Sequence, residues 1–151
     1  PCFENGLILP LMNNLAELFN KTGKPKEAEK MHRQCLKIMQ EKLGSDHLDT
    51  LSSMENLALT LAESGNLDEA EKLLRQCLKV SEKVLGKEHP DTLKLIANLG
   101  WILSKQSRAQ EACVFYERAC TGYTELFGAE HPKTKRSAAN LRWLKVKMAE
   151  K

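Results

Sequence analysis

Laid over itself at an offset of 42 residues, the chain matches: residues 11–52 aligned with 53–94 agree at 20 of 42 positions. The agreement falls in blocks: Asn14-Leu15-Ala16 with Asn56-Leu57-Ala58, Glu27-Ala28-Glu29-Lys30 with Glu69-Ala70-Glu71-Lys72, and Arg33-Gln34-Cys35-Leu36-Lys37 with Arg75-Gln76-Cys77-Leu78-Lys79. Residues 95–136 carry the register on more loosely through Asn98-Leu99, Glu111-Ala112, Gly128, His131-Pro132 and Thr134, and Asn140-Leu141 opens a fourth unit. A period of this length means a stacked array of one supersecondary unit, because no single unit buries its apolar face alone. With 151 residues, 42% of them apolar, there is material for one domain over 1–151. The expected repeats are about 11–52, 53–94 and 95–136, with a capping helix at about 137–150.

Each unit reads as a helical hairpin. In the second, Met54, Leu57, Ala58 and Leu61 fall on one stripe of a first helix, which Ser64-Gly65-Asn66 breaks. Ala70, Leu73, Leu74, Cys77, Leu78 and Val84-Leu85 line a longer second helix that Gly86 ends. His89-Pro90-Asp91-Thr92 starts the next helix, with Pro where the first turn needs no N–H and an acid near the positive dipole end. Small residues recur where paired helices must touch: Ala16, Ala58 and Gly100 in the first helices, Ala28, Ala70 and Ala112 in the second.

This pattern resembles the tetratricopeptide repeat in a long, 42-residue form, and the connection at 86–92 (G-K-E-H-P-D-T), with counterparts at 44–50 and 128–134, is similar to that of the kinesin light chain group. The resemblance covers about residues 11–143. It implies an all-α, right-handed superhelix, an α-solenoid of about three hairpins, whose first helices line a concave groove for a protein partner.

Helical geometry at about 100° per residue shows which residues would face that groove. Opposite the core stripe of the second unit lie Ser52, Glu55, Asn56, Leu59 and Glu63. The equivalents are Pro10, Asn13, Asn14, Glu17 and Lys21; then Lys94, Ala97, Asn98, Trp101 and Lys105; then Arg136, Ala139, Asn140, Trp143 and Lys147. Asn is a poor helix-interior residue, by roughly 0.5 kcal/mol against Ala, so Asn14, Asn56, Asn98 and Asn140 at one register imply a shared requirement. An amide offers donor and acceptor together and so can hold the backbone of an extended peptide. The alternative is that each bonds the neighbouring repeat. Trp101 and Leu59 point the same way and suit a hydrophobic ligand side chain, or else packing on an adjacent helix. Lys94, Lys105 and Arg136 would select acidic residues. The kinesin light chain resemblance implies the same ligand class, acidic peptides carrying a Trp. Trp143 belongs with the last helix, where Arg142 replaces the small residue of the other repeats and a capping role is expected.

Other chemistry finds little support. The five cysteines include no C-x2-C pair, so reduced thiols in a cytoplasmic protein are expected, with no metal and no cofactor. Cys35, Cys77 and Cys120 align with core positions, whereas Cys113 aligns with Glu29 and Glu71 and is expected to be exposed. His47, His89 and His131 lie one repeat apart, too far for a shared ion, and read as turn and cap residues. No phosphate loop, nucleophile elbow or H-E-x-x-H occurs, so the chain is not expected to be an enzyme. No apolar run is long enough for a membrane span, and from its start at Pro1 the chain is expected to be a segment of a longer protein. Residues 1–91 carry a net −3 and residues 92–151 a net +6, but the recurring asparagines lack the variable sets with which helical repeats read bases, so nucleic acid is not the expected partner. The rival to peptide binding is a structural or sensor segment that self-associates through the apolar edges at the ends of the stack, with nothing in the groove.

Overall fold

The computed structural model of the chain describes the backbone of residues 2–150 and the side chains of residues 7–150; Pro1 and the thiol of Cys2 lie outside the described residues. Among the described residues there are seven α-helices and no strand: α1 (Cys2–Lys21), α2 (Pro25–Leu43), α3 (Leu48–Glu63), α4 (Leu67–Val84), α5 (Pro90–Lys105), α6 (Ala109–Phe127) and α7 (Pro132–Ala149). The sequence period reappears in the starts: α2, α4 and α6 begin 42 residues apart, as do α3, α5 and α7. None of these helices is long and apolar enough to cross a membrane.

The recurring connection owes its form to two backbone requirements. Gly44, Gly86 and Gly128 end the second helices at φ between 86° and 97°, a region that residues with a Cβ avoid. Three residues on, the imidazole Nδ1 of His47, His89 and His131 accepts the backbone N–H of Asp49, Asp91 and Lys133 at 3.1–3.2 Å, capping α3, α5 and α7. The histidines expected to be turn and cap residues therefore have that role, with one lone pair already engaged.

Within the hairpins the turns use Gly23 and Gly65, both at positive φ, but the third repeat places Ser107 there at φ 63°. A serine in this region is strained and glycine is not, while glycine costs more entropy on folding. Ser107→Gly is expected to raise stability by about 0.5–1 kcal/mol, read as a higher midpoint in urea. An unchanged or lower midpoint would show that the hydroxyl contributes more than the strain removes.

The chain divides into two compact units, Pro1–Leu73 and Leu74–Lys151, with the boundary inside α4. In the first, α1 packs on α2 and α2 on α3. Its core gathers Ala16, Ala28, Cys35, Leu57, Ala58 and Leu61. Asn20 Nδ2 of α1 donates to Thr60 Oγ1 of α3 at 3.0 Å, and the Arg33 guanidinium joins Glu29 to Glu69 across two second helices at 2.8 Å each. That exposed network contributes little stability but fixes register.

In the second unit α5 packs on α6 and α6 on α7. Leu93, Ile96, Leu99, Ile102 and Leu103 of α5 are buried, as are Ala112, Tyr116 and Ala119 of α6 and Leu144 of α7. The small residues do what close helix contact asks of them. A Cβ on Gly100 would come within 3.0 Å of the Tyr116 ring, so the larger aromatic stands where the smallest residue makes room.

Candidate peptide-binding faces

The residues expected to face a ligand lie on first helices, and the two units present them differently. On α3, Ser52 and Glu63 are exposed while Asn56 and Leu59 are half-buried. Glu55 departs from its expected place: it is buried. Ten of the sixteen residues of α3 are buried, so this helix is covered on more than one side and leaves a strip open, not a full half. On α1, Pro10, Asn14, Glu17 and Lys21 are exposed and Asn13 is half-buried.

In the unit Leu74–Lys151, Lys94 and Lys105 of α5 are exposed and Asn98 is half-buried, while Arg136, Asn140 and Lys147 of α7 are exposed. The amides of Asn14, Asn56 and Asn140 have no hydrogen-bond partner among the described residues. Asn98 does interact within the protein.

The two tryptophans differ in what they offer. Trp101 is half-buried against a cluster of Leu103, Ala112, Cys113, Tyr116 and Leu144, and Lys105 Nζ stands 4.9 Å from its ring centroid. Part of its ring packs on the neighbouring helix and part stays open. Trp143, one repeat on, is 59% exposed with Lys147 Nζ at 5.9 Å. It forms a wall of a cavity of about 700 Å³, with Leu144, Met148 and Ala109 as apolar lining and two ion pairs, Arg108 with Glu111 at 2.7 Å and Lys147 with Glu150 at 3.5 Å. Arg108 and Met148 were not singled out by sequence reasoning.

Cys113 also departs from expectation. It is buried, its Sγ 3.5 Å from Met148 Sδ of α7, because the third second-helix is covered by α7 at a place where its counterparts carry Glu29 and Glu71. Burial, and then Glu117, push its thiol pKa up, against the pull of Lys145, which disfavours the thiolate.

The electrostatics are lopsided. Helix α7 holds six Lys and Arg residues and no acid. Lys135 pairs with Glu130 at 3.0 Å, Lys145 with Glu117 at 3.2 Å and Lys147 with Glu150 at 3.5 Å, whereas Arg136 has no ion-pair partner among the described residues. A cationic helix beside an exposed indole is equipped to meet an acidic, partly apolar chain.

The chain's resemblances follow the same lines. The tetratricopeptide repeat family model matches residues 7–82 and 55–125. Two crystal structures, one of a point variant, of a kinesin light chain-like protein of Podosopora anserina with nearly identical TPR-like repeats share 27% identity with this chain. Each has a TM-score of 0.85 and covers 90% of this chain and 64% of that one. BtubC (BKLC) of P. vanneervenii, at 20% identity, shares the fold with a TM-score of 0.83 over 93% of this chain and 56% of its own. The chain thus spans less than two thirds of each. No curated protein matches it.

Proposed function

The chain belongs to the tetratricopeptide repeat family, in its kinesin light chain-like form, and from that premise we propose that it binds an extended acidic peptide of a partner protein along the exposed faces of its first helices. The fold is that of a TPR-like α-solenoid, a class of protein–protein interaction module, and repeats of this kind are generally non-enzymatic scaffolds. The observation that carries the finer reading is the composition of α7: six cations, no acid, an Arg136 without an ion-pair partner among the described residues, and an exposed Trp143.

In this reading Asn14, Asn56, Asn98 and Asn140 hold the peptide backbone, since an amide side chain meets both N–H and C=O whatever the ligand sequence. Lys94, Lys105 and Arg136 meet its acidic residues. Leu59 offers apolar contact, and a ligand tryptophan finds its surface at Trp143 more than at Trp101, whose ring is already packed in part. No catalytic step, cofactor or metal is part of this reading. The free thiols of Cys35, Cys77, Cys113 and Cys120 suit a reducing, cytoplasmic setting.

The test is a titration with a synthetic peptide holding one Trp flanked by Asp and Glu. Arg136→Glu is expected to weaken binding about five- to tenfold, and raising salt from about 50 to 200 mM to weaken the native chain more than the variant. Asn56→Ala with Asn98→Ala is expected to weaken it at least about tenfold while the chain stays helical. No binding, or equal binding by the native chain and both variants, would sink the proposal.

A further inference from the structure

Helices α5 and α7 repeat one face and little else. Asn98, Trp101 and Lys105 recur as Asn140, Trp143 and Lys147, Ala97 as Ala139, and Lys94 as Arg136, so the five positions opposite the core stripe give four identities and one exchange of cations. Of the eight buried residues of α5, only Thr92 and Leu99 recur in α7, as Thr134 and Leu141. Leu93, Gly100 and Leu103 give way to Lys135, Arg142 and Lys145. From α3 to α5 the order is reversed: four of the same eight core positions agree, and of the five face positions only Asn56 matches Asn98. Packing holds a core constant before it holds a surface. Two helices that keep a face while their cores diverge answer to something outside packing.

The repeated face has a definite arrangement. In each helix a lysine ammonium stands over an indole, Lys105 Nζ 4.9 Å from the Trp101 ring centroid and Lys147 Nζ 5.9 Å from that of Trp143. These are the two tryptophans of the chain. At the same register α1 has Glu17 and Lys21, and α3 has Leu59 and Glu63, so neither carries such a pair. Lys147 also reaches Glu150 at 3.5 Å, an exposed ion pair that a ligand carboxylate can replace at little cost.

Resting on the acidic-peptide reading, we propose that α5 and α7 are two copies of one subsite, and that the ligand offers one element twice: acidic side chains three residues apart on a segment in the polyproline II conformation. Each ammonium takes a carboxylate while the apolar stem of that side chain lies against the indole, which favours Glu over the shorter Asp. The spacing follows from the packing. Both α5 and α7 pack on α6, and Leu103 of α5 shares one apolar cluster with Leu144 of α7 and Tyr116 of α6. Neighbouring helices stand about 8–10 Å apart, axis to axis. A polyproline II segment advances about 9 Å in three residues and returns every third side chain to the same side. A β-strand fits less well, because residues two apart are about 7 Å apart and residues three apart point to opposite faces. Polyproline II also leaves its backbone N–H and C=O groups without internal partners, and the amides of Asn98 and Asn140, one step apart, can meet them.

The test is fluorescence anisotropy with labelled peptides of one composition, in which two Glu residues stand two, three or four positions apart in a chain of Pro and Gln without aromatic residues. The native chain is expected to bind the three-apart peptide at least about fivefold more tightly than the others. Lys105→Gln and Lys147→Gln, at exposed sites and with glutamine as good a helix former as lysine, are each expected to remove that preference. Lys87→Gln, exposed and off the repeated face, makes the same change of charge and is expected to keep it. Binding without preference among the three spacings overturns the proposal and leaves the acidic-peptide reading standing. Binding by none of them also overturns it, and the Trp-containing peptide titrated alongside shows whether that reading falls with it. A preference that survives both lysine variants overturns it by placing the two contacts elsewhere.

Discussion

Gly122→Val is expected to destabilise the unit Leu74–Lys151 by about 2–3 kcal/mol, although valine is the residue at the same register position of α4, Val80. Alone in a helix the change should help slightly, because glycine is the poorest ordinary helix former. Packing decides the sign. A Cβ on Gly122 would lie 2.5 Å from Leu93 Cδ2 and 2.8 Å from Cδ1, and Leu93 is fully buried in α5, so its tip has no open space to swing into. Leu93→Ala alone should cost about 2–4 kcal/mol by leaving a cavity. Together the two changes should cost at least about 1 kcal/mol less than their sum, since the valine enters the space the leucine leaves. Midpoints in urea for the four proteins close this cycle. A Gly122→Val chain as stable as the native one, or strict additivity, would mean that α6 and α5 do not approach as closely as their backbones indicate.

Gly122 shows where a repeat stops being legible as a repeat. The fold class was readable because the punctuation is chemical: His89, Pro90 and Gly86 each suit a cap or a positive φ, and they recur with the helices they bound. What changes from unit to unit was not readable, because it depends on partners in space. Tyr116 is matched by Gly100 across a hairpin, and aligning either alone with Leu74 or Ala58 gives no sign of the match. Exposure fails in the same way. One register position is Leu11 in α1, exposed, but Ser53, Leu95 and Ser137 in the later helices, all buried. Helical geometry ordered the faces but overestimated their width, which is why Glu55 is buried. Cys113 was taken from the side of the array that α7 covers. Both errors, at Glu55 and Cys113, sit on a helix covered by more than its hairpin partner, where the one-helix picture omits a neighbour.

His32 extends that point to acid sensitivity. In α2 it stands at the position of Leu74 and Tyr116, buried like both, and its Nδ1 has no hydrogen-bond partner among the described residues. Burial lowers its pKa below the ordinary 6.5, and the charge of Glu17 only partly opposes this. The native state therefore keeps the imidazole neutral where the unfolded chain takes up a proton. Above about pH 6.5 both states are neutral and His32 adds no pH dependence. Below it the unfolded chain binds the extra proton, so stability falls as pH falls, with a limiting slope of about 1.4 kcal/mol per pH unit for one proton. The loss levels off once pH passes the lowered native value. His32→Leu restores the residue of the next repeat and removes the titrating group. Urea midpoints taken from pH 7.5 down to pH 5 are expected to fall more steeply for the native chain than for His32→Leu, whose other histidines are unchanged and cancel in the comparison. Parallel curves would show that a proton reaches the buried ring without cost, through an opening of α2 that the packed hairpin does not contain.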